Sequence, residues 1–465
     1  MCQATDKQII EVLKMETIPA LGCTEPVACA LACARCKEEL GGVPEHIEVF
    51  VSGNIYKNGM GVGIPGTGMT GLPIAAALGA VCGKTEYGLE VLKEVSACNN
   101  LAVAKSLLDK QAVVIHLKED APDKLYAEAI CKKGNDTVKT VIVHGHTNII
   151  LVEKNGKAVY RKDFTPVAAE KSDRVELSIA RIWEFIHRID VAEIEFVLEG
   201  AEMNKAISAE GLKSEYGLQI GKTLKENIDK GLLENDFLNN ALICATAASD
   251  ARMDGCEKPV MTNSGSGNQG ITVYLPVVVA AEQFGCSREQ LIRALALSNL
   301  VAAHIHYYMG HLSALCGILI AGTGAASAIT YLMGGTYEQV VNTIKTMCSN
   351  LTGMMCDGAK QGCALKVYSG VSAAVQAALL SMKGIKTHND GIIEEDIEKT
   401  IRNVGIIGTT GMEQTDDSEH YVSETIIIFL YILFPGILVF YRPRFRDFLS
   451  DFPGLIPDSI CTQQI

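Results

Sequence analysis

Charge is scarce in this chain, and positive charge is scarcer. Only 20% of the 465 residues are charged against 48% hydrophobic, and 41 Lys and Arg face 54 Asp and Glu, for a net charge of −13 at pH 7. A shortage of cations on that scale excludes nucleic acid or an anionic membrane as the main partner, since both demand basic patches. A small-molecule role fits instead. No export leader is expected from MCQATDKQIIEVLKMETIPALG, which scatters its charges and has no apolar centre. The 16 cysteines lack the regular spacing of a disulfide framework, and so long a chain needs no staples, so a reducing cytoplasm is the expected setting. No Walker pattern occurs, no GxGxxG lies between a strand and a helix, and no period marks a solenoid. The length suffices for two domains or one large one.

Residues 6 to 18 carry the apolar spacing of a short helix stopped by Pro19. In ALGCTEPVACALACARCKEEL a Gly-Cys-Thr turn precedes a second helix, with Thr24 as the expected N-cap and Pro26 in the first turn. Cys23 then sits at the positive end of a helix dipole, a setting that lowers a thiol pKa and suits a base, nucleophile or ligand. Cys29, Cys33 and Cys36 follow at helical spacing among small apolar residues and read as packing. HIEVFVSGNI at 46–55 alternates as a strand does, and the glycine-rich KNGMGVGIPGTGMTGLP after it lets backbone amides approach an anion. A substrate carboxylate is the better ligand for that loop than a phosphate, with plain turn chemistry the alternative. Strands recur through 111–163, where GHTN, with His146, Thr147 and Asn148, reads by default as an exposed turn. From about residue 170 helix follows helix. The expected class is α+β, with an N-terminal α/β portion at 1–165, a predominantly helical portion at 166–420 and an atypical apolar tail at 421–465.

MTNSGSGNQGITVYLPVVVAA opens an apolar helix with a polar turn at 263–270. Free amides at a helix start, joined by Asn263, Ser264, Ser266 and Asn268, make a carboxylate-binding candidate. Strongly hydrophobic elements flank the turn, so it is wedged within the fold and does not act as a linker. Further on, HLSALCG carries Cys316 and GMMCDGAKQGCALK carries Cys356 and Cys363. The Asp-Gly between the last two lets one close a helix while the other opens the next, and Cys316 reaches the same point through a helical hairpin. Three convergent thiolates with no neighbouring His suit iron-sulfur ligation better than structural zinc, and leave one iron open. Cysteine is also a small hydrophobe that packs well among alanines, so spacing alone admits core packing equally. His304 and His306 precede Cys316; a lone buried His is usually a satisfied core residue, and His306 is kept as a candidate.

In combination, ALGCTEP at 20–26, KNGMGVGIPGTGMTGLPIAAALGA, GHTN, AASDARM, NSGSGNQGI, SALCG and CDGAKQGCALKV resemble the L-cysteine desulfidase group of the serine-dehydratase-like proteins, over about residues 6–416. The resemblance implies a β-elimination lyase that converts L-cysteine to sulfide, ammonia and pyruvate. It implies a [4Fe-4S] cluster on Cys316, Cys356 and Cys363, Cys23 in the active site, and no pyridoxal phosphate. L-serine dehydration by the same elimination is the runner-up. A non-enzymatic amino-acid-binding protein tethered by its tail is the reading from another class, but a binder has no use for three convergent thiolates. The expected partner is a small-molecule amino acid, without nucleic acid, and a homodimer is the assembly to test.

Two departures from the family pattern matter. His311 stands where a basic Arg is expected before LSALC, and it would hold an anion only when protonated. After GMEQTD at 411–416 the likeness stops abruptly. The apolar run from Ile426 to Tyr441 is short for a bilayer span and contains Pro435 and Gly436, so membrane contact is expected only through this tail. The abrupt change favours a frame-shifted gene end over an anchor.

Overall fold

A computed structural model describes residues 4–97, 99–163, 177–310 and 313–415. His311 and the apolar run 426–441 lie outside these residues. The class is α+β, as expected. Strand His46–Val51 buries Ile47, Val49 and Val51 on one face, the period-two pattern of a half-buried strand. It is paired in parallel with Val113–Leu117 and antiparallel with Tyr126–Lys133. Antiparallel pairing continues through Asp136–Val143, Ile149–Lys154 and the exposed edge Lys157–Arg161, giving a six-stranded sheet. Helix Thr24–Leu40 covers this sheet, and helix Leu72–Val81 packs on that helix in turn. Small residues allow the close crossing, because a Cβ on Gly79 would overlap the backbone of Ala30. Cys29, Cys33 and Cys36 are fully buried here, with the Cys36 thiol 3.2 Å from the Thr140 hydroxyl.

Among the helices, Ile318–Leu332 is the central element, flanked by Gly267–Gln283, Arg288–Met309, Tyr337–Leu351 and Cys363–Met382. Its ILIAGTGAASAITYL sequence is apolar and small almost all round, the signature of a helix buried on every side. A Cβ on Gly324 would collide with the Ser298 carbonyl, and one on Gly370 with the Ile318 side chain. Each large side chain fully buried in this core contributes about 1.5–3 kcal/mol. Polar sequence signals set the helix starts: Thr5 with Gln8, Ser287 with Gln290 and Thr336 with Gln339 each form a capping box. His304 is the satisfied core histidine anticipated above, its Nε2 2.7 Å from Glu398 Oε2.

Helix Asp6–Glu16, expected in the N-terminal α/β portion, instead sends Ile9, Ile10 and Leu13 into the helical core. It ends before Pro19, where Pro19–Ala20 forms a short antiparallel pair with Val260–Met261. This pairing carries the chain from the helical core into the start of helix Thr24–Leu40. The sheet core and the helical core therefore meet at a small cluster of Cys23, Val62 and Met253, against which Ala359 and Cys363 pack. The glycine-rich connection folds as a hairpin of Gly63–Ile64 and Met69–Thr70. Its glycines serve backbone contact: a Cβ on Gly63 would stand 2.5 Å from the Asp254 carbonyl carbon, and Gly66 N donates to Gly255 O at 3.2 Å. Of this stretch Asn58 lines the cavity described next.

Candidate active site

A cavity of about 150 Å³ opens at the meeting of the two cores. Four helices begin on its wall: Thr24–Leu40 at Cys23, Gly267–Gln283 at Ser266, Ile318–Leu332 at Gly317 and Cys363–Met382 at Cys363. Each helix start brings partial positive charge to the wall, which favours an anion in the cavity, although the first amides of helix Cys363–Met382 are already bonded to the carbonyls of Lys360, Gln361 and Gly362. Cys23, Cys316, Cys356 and Cys363 all line it. None of these four thiols is engaged in a disulfide.

Local pairing explains how cysteines so far apart in sequence converge. Leu315 bridges Met355 in antiparallel fashion, with Cys316 N donating to Met354 O at 2.8 Å and Cys356 N to Ala314 O at 2.7 Å. Residues on either side of a bridged pair share the opposite face, so Cys316 and Cys356 point the same way. The helix Tyr337–Leu351 ends well before Cys356, so this cysteine lies in an extended segment, not at the helix end expected of it. Cys363 is the first residue of its helix, as the Asp-Gly spacing predicts, and its thiol lies 3.6 Å from Gly358 O. Lys366 donates to Met355 O at 2.8 Å and pairs with Asp357, while Lys57 donates to Cys356 O at 3.1 Å, so two lysines pin the Cys356 loop. Burial pushes Asp357 up, yet the Lys360 and Lys366 bonds outweigh it and bring the carboxyl to about 2.

Cys23 itself is the N-cap, and Thr24, expected in that place, is the first helical residue. The Thr24 hydroxyl donates to Gly265 O at 3.1 Å and so ties this helix to the polar turn. Burial pushes the Cys23 thiol up to about 12, against the lowering influence of Arg252. The dipole effect expected here is outweighed because a helix terminus is worth roughly 0.3–2 kcal/mol, whereas full burial shifts a group by up to about 3–5 pKa units. Cys316 is likewise pushed up to about 12 by burial and by Cys356, and burial raises Cys356 as well.

Ser264, Ser266 and Asn268 of the polar turn line the cavity. Asn263 does not: it is fully buried behind them, donating to Asn299 Oδ1 at 3.0 Å and accepting from the Ser264 hydroxyl at 3.2 Å. Its place is to brace the turn. Ser264 holds a positive φ of 50°, and its amide donates to Glu16 O at 2.9 Å. Asn268 accepts from Ser249 at 3.2 Å.

Among the lining residues that sequence reasoning missed, Arg252 and His146 stand out. Arg252, near the end of helix Phe237–Met253, is 5% exposed and sits beside Cys23, with a bond to Gly22 O at 3.2 Å. A lone cation in the small-residue stretch AASDARM was the available signal. His146 comes from the turn read as exposed; it lines the cavity next to Gly265, and burial holds its imidazole below the ordinary 6.5. Its Nε2 is buried and has no hydrogen-bond partner. No local pattern reveals this, because the turn reaches the site only when the sheet docks against the helices. His306 also lines the cavity, from helix Arg288–Met309.

Among the described residues no three His, Cys, Asp or Glu side chains gather closely enough to hold one metal ion. Cys316, Cys356 and Cys363 nevertheless share the lining of one cavity. Cys316, buried, and Cys356 and Cys363, half-buried, fit the three-thiolate donor set that a four-iron cluster would need.

Residues 86–418, which include Arg252, the polar turn and the three downstream cysteines, match the family model described as serine dehydratase alpha chain. The fold and site thus belong to a lyase of the serine dehydratase type. Similar proteins include a UPF0597 protein of Parabacteroides distasonis, 49% identical over 413 residues, covering 88% of this chain and 96% of that one. A UPF0597 protein of Oleidesulfovibrio alaskensis is 47% identical over 412 residues, with 88% and 95% covered. One from Aeromonas hydrophila is 45% identical over 411 residues, with 88% and 93% covered. The chain belongs to the serine dehydratase alpha chain family.

Proposed function

We propose that the chain is an L-cysteine desulfidase, a β-elimination lyase releasing sulfide and aminoacrylate, which hydrolyses to pyruvate and ammonia. The observation that carries this reading is the joint presence of Cys23, Cys316, Cys356 and Cys363 on one cavity wall where four helices begin. Cys316, Cys356 and Cys363 would hold a [4Fe-4S] cluster. When bound, such a cluster supplies a Lewis-acidic iron that stabilises charge developing as the β-substituent departs. The turn at Ser264, Ser266 and Asn268 orients the substrate, with helix amides favouring its anionic end. His146 takes the α-proton: burial lowers its affinity for protons, so it is neutral and ready to accept one at neutral pH. For a substrate bound as its thiolate, Cys23, kept protonated by its burial, gives one proton to the departing sulfur, which then leaves as HS⁻ and not as the strongly basic S²⁻. The electron pair of the broken C–H bond becomes the C=C bond as the C–S bond breaks.

L-Serine dehydration follows the same course with hydroxide leaving, and the family description favours it as the second reading. Purified, cluster-loaded protein given L-cysteine or L-serine separately, with pyruvate measured over time, decides between them. The expected result is a higher kcat/KM on L-cysteine with sulfide and pyruvate in equal amounts. Faster pyruvate formation from L-serine would establish the dehydratase, and none from either would reject both.

A further inference from the structure

Arg252 is a buried cation without a counter-charge. Its guanidinium is bonded to the Gly22 carbonyl at 3.2 Å and the Met253 sulfur at 3.5 Å and faces the Cys23 thiol, which burial keeps protonated, so all three partners are neutral, and Nε has no acceptor. Among the described residues no carboxylate lies within ion-pair reach of it. Burying a charge without an opposite one is costly by several kcal/mol, so a site that keeps one is completed by an anion when occupied. Beside the guanidinium stands the start of helix Gly267–Gln283, and the two approach closely because position 267 has no side chain: a Cβ there would overlap Nε. The planar fork of an arginine next to free helix amides matches the geometry of a carboxylate.

We infer that Arg252 and the first turn of helix Gly267–Gln283 form the subsite for the substrate's α-carboxylate, restricting the enzyme to free amino acids with an ionised α-carboxyl. The inference rests on the proposed elimination at this cavity and adds the group that selects its substrates. Arg252 packs against Gly267 of the polar turn and His146 against Gly265, so the two line the same cavity beside one turn.

The test uses anaerobically prepared, cluster-loaded protein and two small thiols, 3-mercaptopropionate, which has a carboxylate, and 2-mercaptoethanol, which does not. Arg252→Gln should weaken 3-mercaptopropionate binding about 10-fold to 100-fold, the range for a charge-assisted hydrogen-bond pair, and leave 2-mercaptoethanol binding and iron content unchanged. Arg252→Lys, which keeps the charge and loses the fork, should fall between. Equal losses for both thiols, or loss of iron with the arginine, would overturn the subsite and make Arg252 a counter-ion of the thiol wall. Should Arg252→Gln fail to fold, the wild-type protein still decides: L-cysteine must be bound at least about 10-fold more tightly than its methyl ester, and equal binding refutes the subsite. Because binding is read apart from turnover, intact carboxylate recognition without any elimination would count against the proposed reaction alone.

Discussion

Leu315 and Met355 pair as an antiparallel bridge, and that one register puts the Cys316 and Cys356 side chains on the same face. A shift of one residue in such a pair sends a side chain to the other face. Insertion of a single glycine between Met355 and Cys356 should therefore remove the iron as completely as Cys356→Ala, although all three cysteines remain. Iron content per chain checks this, and a fully loaded insertion variant would show that the bridge does not set the thiols.

His146 reaches the cavity from the sheet side and is held neutral by burial. A base whose pKa is lowered is active above that value and fails as the pH drops through it. The acidic limb of the kcat/KM profile should therefore inflect below 6.5. In His146→Gln that limb should vanish and the plateau fall roughly 100-fold to 10,000-fold, the usual worth of a general base. A surviving limb at the same pH would assign the base elsewhere.

Cys23 lies against Cys363 at the junction of the two cores. If it serves as proton donor to the departing sulfur, Cys23→Ala should keep the iron and lose turnover on L-cysteine by at least about 100-fold. The loss should be smaller for a substrate whose leaving group is less basic than S²⁻, such as 3-chloro-L-alanine, which leaves as chloride. Uniform loss on both substrates would contradict proton donation, and altered visible spectra would make Cys23 a ligand.

The helical core also carries a polar tie. Burial pushes the Glu398 carboxyl up, and the His304 bond with its charge outweighs this, leaving it below the ordinary 4.5. Stability from such a carboxylate is present above its unfolded value and is lost as pH falls through the folded one. Glu398→Gln should cost about 2 kcal/mol at pH 7, less at pH 4, as read by denaturant unfolding at both values. An equal cost at the two pH values would mean that packing, not charge, holds this contact.

Much of this architecture was legible because local chemistry and tertiary outcome agree. Capping boxes at Thr5, Ser287 and Thr336 announce three helices, and the alternation in HIEVFV announces a strand whose buried face is the expected one. The polar turn before helix Gly267–Gln283 was readable because polar residues between apolar runs need a reason. What stayed hidden depends on contacts between distant segments. Asn263 looks like its neighbours in sequence, yet a bond to Asn299 turns it away from the cavity. Arg252 and His146 become site residues only through packing, and Cys23 carries a dipole signal that burial overrides. The glycine-rich hairpin is ambiguous for a related reason: close approach to Asp254 needs glycine as much as an anion site does.

The most direct test of the account is iron and acid-labile sulfide analysis of anaerobically prepared protein, with visible absorption, for the wild type and four single alanine variants. The wild type and Cys348→Ala, whose thiol is buried in the helical core away from the cavity, should each hold about four irons per chain. Cys316→Ala, Cys356→Ala and Cys363→Ala should each lose the cluster and its broad absorption while remaining folded by circular dichroism. Retention of iron in any of those three, or equal loss in Cys348→Ala, would contradict the assignment.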